Sequence, residues 1–132
     1  MERCACTGAF LERFIQPSIL MYLNDGGLHG FLLLKKLRES DDVDYSGIDP
    51  TGLYRMLKKM EKAGLLTSEW DVEGSSQPRR IYSITEEGRV CLSYWEKTLK
   101  EYTDTIGKLS KAVSKSLVSK TASRSIQDRK KM

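Results

Sequence analysis

Between residues 49 and 88 the hydrophobic positions change their period, and the changes predict an order of elements. Leu53, Met56, Leu57 and Met60 recur at i, i+3, i+4 and i+7, which places them on one stripe of a helix. The helix has its end signals. Asp49 can cap the first-turn amides, Pro50 suits the first helical position, and Gly64 stands where a left-handed C-terminal residue is wanted. At about 100° per residue, Thr51, Arg55, Lys58 and Lys62 lie on the face opposite the stripe. From Leu65 to Val72 the pattern turns apolar-polar, and Glu73 to Pro78 has hairpin-loop chemistry. Arg79 to Ile84 is the predicted return strand, with Arg80, Tyr82 and Ile84 on one side and Arg79, Ile81 and Ser83 on the other.

Upstream, Leu28 to Leu37 predicts a short helix with an apolar face, joined to Asp49 by the polar segment 38–48. Pro17 interrupts the pattern of the first helix. Either a kink or a fresh helix start carrying Ile19, Leu20 and Leu23 fits the sequence. The unit over residues 17–85 therefore reads as a winged helix-turn-helix: mainly α, with a small β-hairpin as the wing. A Thr/Arg/Lys/Lys face can enter a major groove, since Arg and Lys pair with guanine or phosphate and Thr meets a thymine methyl. The same face also suits a solvated helix surface. Arg79 and Arg80 can clamp phosphates beside the groove, or pair with Glu69, Asp71 or Glu73 across the hairpin.

After the wing, Thr85 can cap a helix that opens with Glu86 and Glu87, acids suited to a positive helix end. From there Leu92, Trp95, Leu99, Tyr102, Ile106, Leu109 and Val113 alternate spacings of three and four, a heptad seam. A helix over 86–117 would be ~48 Å long, too long to bury against a core of this size. Its seam is expected to meet a second copy of the chain, joined by an N-terminal arm over 1–16 that offers Phe10, Leu11, Phe14 and Ile15. Burying most of the seam would gain on the order of 10–20 kcal/mol before entropy. The resulting homodimer would carry two reading helices ~34 Å apart, one turn of duplex, which suits a palindromic operator. Trp95 fits either a plain interface core or the wall of a site for a flat aromatic ligand. Trp70, in the first wing strand, is expected on the hairpin's inner face.

Charge refines this picture. The 132 residues carry a net +4, but residues 115–132 hold six basic groups against Asp128 alone. The other 114 residues hold 16 basic and 17 acidic groups, a net of −1. Duplex affinity in the body must then come from a local patch. The basic tail, 118–132, is expected to be unstructured, serving either as a source of salt-sensitive phosphate contacts or as a solubilising end. No apolar run is long enough for a membrane span, and the start lacks a secretory layout, so a cytoplasmic protein is expected. Three cysteines argue against a disulfide framework. Cys4 and Cys6 form a C-x-C pair that could hold a soft metal or oxidise, yet His29 is the one histidine, so no metal or cofactor is assigned. His29 itself suits a capping or core role. There is no glycine-rich phosphate loop and no paired carboxylates, which argues against an enzyme.

Several of these segments together resemble the PadR family of bacterial transcriptional regulators, in the short form with a single C-terminal helix. They are FIQPSILMYL, LHGFLLLKKL, DPTGLYRMLKKMEKAGLL and SEWDVEGSSQPRRIYSITEEG, covering Phe14 to Gly88. The His29-Gly30-Phe31 start, the Leu53-Tyr54-Arg55 helix ending at Glu61-x-x-Gly64-Leu65-Leu66, and the Arg79-Arg80-x-Tyr82-x-Ile84-Thr85-x-x-Gly88 exit carry the likeness. The FIQP segment looks most like the branch of polyhydroxybutyrate-responsive repressors. The resemblance implies Thr51, Tyr54 and Arg55 at the DNA, with the Tyr54 hydroxyl on a phosphate or its ring packed on the wing. It also implies a planar aromatic effector near Trp95, with Phe14 and Tyr102 as neighbours. Cys4 and Cys6 depart from the family's usual opening. The expected protein is a repressor released by a small effector. A protein–protein adaptor on the same scaffold, or a repressor responding to thiol or metal chemistry through Cys4 and Cys6, are the alternatives.

Overall fold

A computed structural model describes residues 14–131 apart from 44, 46 and 74–77, with side chains to residue 119. Phe10, Leu11, Cys4 and Cys6 lie outside the described residues, as does most of the wing loop. The chain divides into two compact units at the Tyr94–Trp95 boundary. In order, the elements are α1 (Ile15–Asn24), β1 (Leu28–His29), α2 (Gly30–Arg38), α3 (Pro50–Lys62), β2 (Leu66–Asp71), β3 (Arg79–Ile84) and α4 (Glu86–Lys131). The fold is thus mainly helical with a small antiparallel sheet and a long final helix.

Of the two readings of Pro17 the helix start is the nearer, since the described helix carries Ile19, Leu20 and Leu23 to Asn24. Pro17 lies in the first turn of the helix that begins at Ile15, where a missing N–H breaks no helical bond. The three helices of the first unit press Ile19, Leu20, Leu23, Leu33, Leu37, Leu53, Leu57 and Met60 together, all at 1% exposure or less. Leu66, Tyr82 and Ile84 of the sheet complete this core. Tyr45, from the polar connection before α3, is buried too, and its hydroxyl lies 3.2 Å from Ser18 Oγ on α1. The Arg38 guanidinium donates to the Ile48 carbonyl at 3.1 Å and holds the end of that connection.

Two expectations change. Leu28 and His29 are not the first residues of a helix but a short third strand. They pair with Tyr82 and Ile81 of β3, giving the sheet order β1-β3-β2. The outer edge of β3 would otherwise show unpaired amides and carbonyls, and these two residues satisfy part of it. The final helix also passes residue 117, where its end was expected: helical backbone continues through Lys131. No glycine or proline follows Gly107 to stop it.

Burial pushes the Tyr45 hydroxyl above the ordinary tyrosine range, partly offset by its Ser18 hydrogen bond. Burial likewise raises Tyr82, with nearby Arg80 opposing and Glu61 assisting. A tyrosine whose folded pKa is raised favours the folded state fully below the unfolded pKa of about 10, and that contribution is lost as pH rises beyond it. The thermal midpoint should therefore fall between about pH 9 and pH 11, and less steeply in Tyr45→Phe. Equal slopes in wild type and variant would show that Tyr45 does not titrate with unfolding.

Candidate nucleic-acid interface

The reading helix α3 is closed at both ends by its own sequence. Asp49 Oδ1 accepts from the Thr51 amide at 3.3 Å, with Pro50 at the first position. At the far end Gly64 takes φ +82°, the Gly64 amide reaches Glu61 O, and the Leu65 amide reaches Met60 O, both at 3.0 Å. That double bond is a Schellman ending, and it needs the positive φ that glycine tolerates. Leu53, Leu57 and Met60 face the core and Met56 is half-buried, which leaves Thr51, Tyr54, Arg55, Lys58 and Lys62 exposed. Lys59, not anticipated from the sequence, is exposed as well.

Tyr54 packs against Gly30 at the start of α2 and lies near Tyr82 of the wing strand β3. A Cβ at position 30 would stand 2.6 Å from Tyr54 Cε1 and 3.0 Å from its hydroxyl. The glycine that opens α2 therefore exists to admit this ring, which remains 43% exposed. Beside it lies an open cleft of about 420 Å³ between His29, Phe31, Tyr54, Pro78, Arg79 and Arg80. Groups from α2, α3 and the wing thus converge on one side of the first unit.

The wing is built by six cross-strand pairs, from Leu66↔Ile84 to Asp71↔Arg79. Its two arginines part company. Arg79 stands opposite Asp71, but Asp71 Oδ2 lies 3.1 Å from His29 Nε2, tying the end of β2 to the N-cap residue of α2. Arg80 lies over Trp70, its cross-strand partner, with the guanidinium carbon 5.1 Å from the ring centroid. Arg80 Nε donates to Ser68 Oγ at 2.8 Å, and Ser68 Oγ donates to Glu61 Oε2 on α3 at 2.8 Å. Trp70 has the strand parity expected of the inner face, but it sits far enough along the wing to be 59% exposed. Ser68 was not singled out from the sequence, and neither Glu61 nor Trp70 was expected to act on Arg80. Counting back from the hairpin would have paired Trp70 with Arg80 only if the loop length were known.

α4 starts against α3. Thr85 Oγ1 donates to Gly64 O at 2.6 Å and accepts from the Gly88 amide at 3.0 Å, while the Thr85 amide reaches Leu65 O at 3.1 Å. Further along, Leu92, Trp95 and Leu99 are half-buried, whereas Tyr102, Ile106, Leu109 and Val113 are exposed. Of the residues expected at an effector, Phe14 is half-buried at the N-cap of α1. Cys91 is a half-buried free thiol. Among the described residues no group of three or more His, Cys, Asp or Glu side chains could hold a metal ion. No described helix is long and apolar enough to cross a membrane.

The profile described as the transcriptional regulator PadR-like family matches residues 19–94. The chain belongs to the PadR family. PadR proteins are transcription regulators, not enzymes. Solved structures agree with the assignment. A PadR family regulator from Eggerthella lenta is 30% identical over 79% of this chain and 90% of its own, with a TM-score of 0.63. A putative transcriptional regulator from Thermoplasma acidophilum is 28% identical over 75% and 92%, with a TM-score of 0.64. Bacillus subtilis PadR, solved in complex with operator DNA, shares the fold at 23% identity over 69% of this chain and 57% of its own, with a TM-score of 0.56. No curated protein sequence matches the chain at comparable significance.

Proposed function

We propose that this PadR-family regulator is a homodimeric repressor that binds a palindromic operator through α3 and the wing, and is released by a small effector. One observation supports the reading most. Four residues of α3, Thr51, Arg55, Lys58 and Lys62, lie exposed on the side away from its buried stripe. The first 114 residues carry a net charge of −1, so this face is a local cationic patch and not part of a general one. A PadR neighbour held on operator DNA makes the same use of this fold reasonable here.

In this reading Thr51, Arg55 and Lys58 meet base edges, Lys62 and Arg79 meet phosphates, and Tyr54 reaches a phosphate from its seat on Gly30. Ile106, Leu109 and Val113, exposed at 59%, 61% and 49%, form the dimer seam with their counterparts. Leu92, Leu99 and Tyr102 extend it, with Phe10 and Leu11 contributed by the N-terminal arm. A planar aromatic effector against Trp95, Tyr102 and Phe14 would act by favouring one spacing of the two reading helices over the other. Cys4 and Cys6 offer a thiol or metal input to the same repressor.

Fluorescence anisotropy with duplex DNA from upstream of the gene tests the reading. Arg55→Ala combined with Lys58→Ala should weaken binding by at least about 30-fold, from two contacts of ~1–3 kcal/mol each. Wild-type affinity in that double variant removes α3 as the reading element. A salt titration adds a second check, because each neutralised phosphate contributes about −0.9 to the log–log slope. A flat slope points instead to a protein partner on the same scaffold.

A further inference from the structure

We propose that Glu61, Ser68 and Trp70 are positioning residues for Arg80, fixing the aim of this wing cation at DNA and linking it to the reading helix. The proposal rests on the DNA-binding reading above and adds how one part of that site is organised. Its basis is a chain of contacts across three elements. The Arg80 guanidinium lies 5.1 Å from the Trp70 ring centroid, its Nε gives a 2.8 Å bond to Ser68 Oγ, and Ser68 gives a 2.8 Å bond to Glu61 on α3.

The chemistry of the three groups allows one direction only. A guanidinium can only donate and a carboxylate can only accept. Ser68 has a single proton, so it must spend that proton on Glu61 and turn a lone pair to Arg80. The carboxylate thus polarises the hydroxyl toward the arginine. The indole face attracts the guanidinium through a cation–π contact, at which arginine and lysine are not interchangeable. With Nε occupied, the terminal nitrogens of Arg80 remain to meet an acceptor. Arg80 is exposed, so that acceptor can be a phosphate or a base edge. A long side chain normally loses rotamer freedom when it binds, and here part of that loss is already taken in the free protein.

Glu61 gives the arrangement a distinctive sign. An acid on a DNA-facing helix repels phosphates, and its removal ordinarily tightens binding. If its part is to hold Arg80, removal loosens binding instead. The experiment uses the full chain, an operator duplex from upstream of its gene and anisotropy at several salt concentrations, with a thermal melt of each variant. Arg80→Ala should weaken binding and reduce the salt slope by about one phosphate contact, ~0.9. Arg80→Lys should keep the slope but lose affinity. Trp70→Ala, Ser68→Ala and Glu61→Ala should each weaken binding about 3–10-fold with the slope unchanged, because the charge of Arg80 remains. Trp70→Phe should recover most of the loss, since it keeps an aromatic face.

Tighter or unchanged binding in Glu61→Ala overturns the proposal. So does Arg80→Ala with wild-type affinity and slope but a lowered melting point, which would make the chain of contacts simple glue for the wing. If Arg55→Ala with Lys58→Ala weakens binding while none of the wing variants does, the holding device fails and the reading helix stands. If the wild type binds no duplex at any salt concentration, both readings fall together.

Discussion

Ile106→Asp combined with Leu109→Asp should convert the proposed dimer to a monomer and lower operator affinity by at least about 100-fold. Both positions belong to the heptad seam, and both side chains are more than half exposed in the single chain. An apolar side chain buried at such an interface contributes ~1.5–3 kcal/mol. Each substitution removes that gain and places a carboxylate opposite its own copy, where two like charges would have to be desolvated together. Affinity then falls because the second half-site is no longer engaged at the high effective concentration set by the first. Sedimentation equilibrium at micromolar protein reads the mass, and anisotropy on the operator reads the affinity. A monomeric variant with wild-type operator affinity would show that one copy suffices. A dimeric variant would place the interface elsewhere.

Gly88→Ala should be the most destabilising small substitution in the first unit, costing about 3 kcal/mol. A Cβ there would run into the Leu65 carbonyl oxygen and stand 2.6 Å from Ile84 Cγ1. The first obstacle is backbone, and it already accepts the Thr85 amide. It cannot retreat without breaking that bond and disturbing the turn that ends α3. Thr85 holds the other side of the junction through Gly64 and Gly88, so the first turn of α4 cannot simply lift. For a domain of this size the expected fall in melting temperature is roughly 10–20 °C. A fall of only a degree or two would show that α4 can shift away from Leu65 at little cost. Operator affinity of the folded fraction is a useful second reading, because the altered junction adjoins the C-terminal turn of α3.

The elements that could be read directly from the amino acids are those whose causes are local. Asp49, Pro50 and Gly64 bound α3 through contacts with their own neighbours. The 53-56-57-60 stripe names its buried face, and Thr85 opens the last helix as its side chain predicts. The order helix, helix, reading helix, wing, long helix follows from such signals. The motifs from Phe14 to Gly88 carried the family resemblance, and the match over residues 19–94 agrees with it.

What escaped the sequence depends on partners far away along the chain. Leu28 and His29 look like the start of a helix until β3 offers an edge more than 50 residues later. Tyr45 sits in a polar run, and its burial follows from the Ser18 hydroxyl and the helices around it. Nothing local in the sequence marks Gly30 and Gly88 as sites of close approach; Tyr54 and the Leu65 carbonyl come against them only in the fold. Arg80 could have paired with any of several acids, and the register of β2 on β3 gave it Trp70 and Ser68 instead. Periodicity and end signals act through the few residues on either side, so a linear reading captures them. Register, close backbone approach and the choice among competing charges arise only when distant segments are brought together. The amino acids alone therefore specified which helix could face a duplex, and folding specified how the wing beside it is aimed.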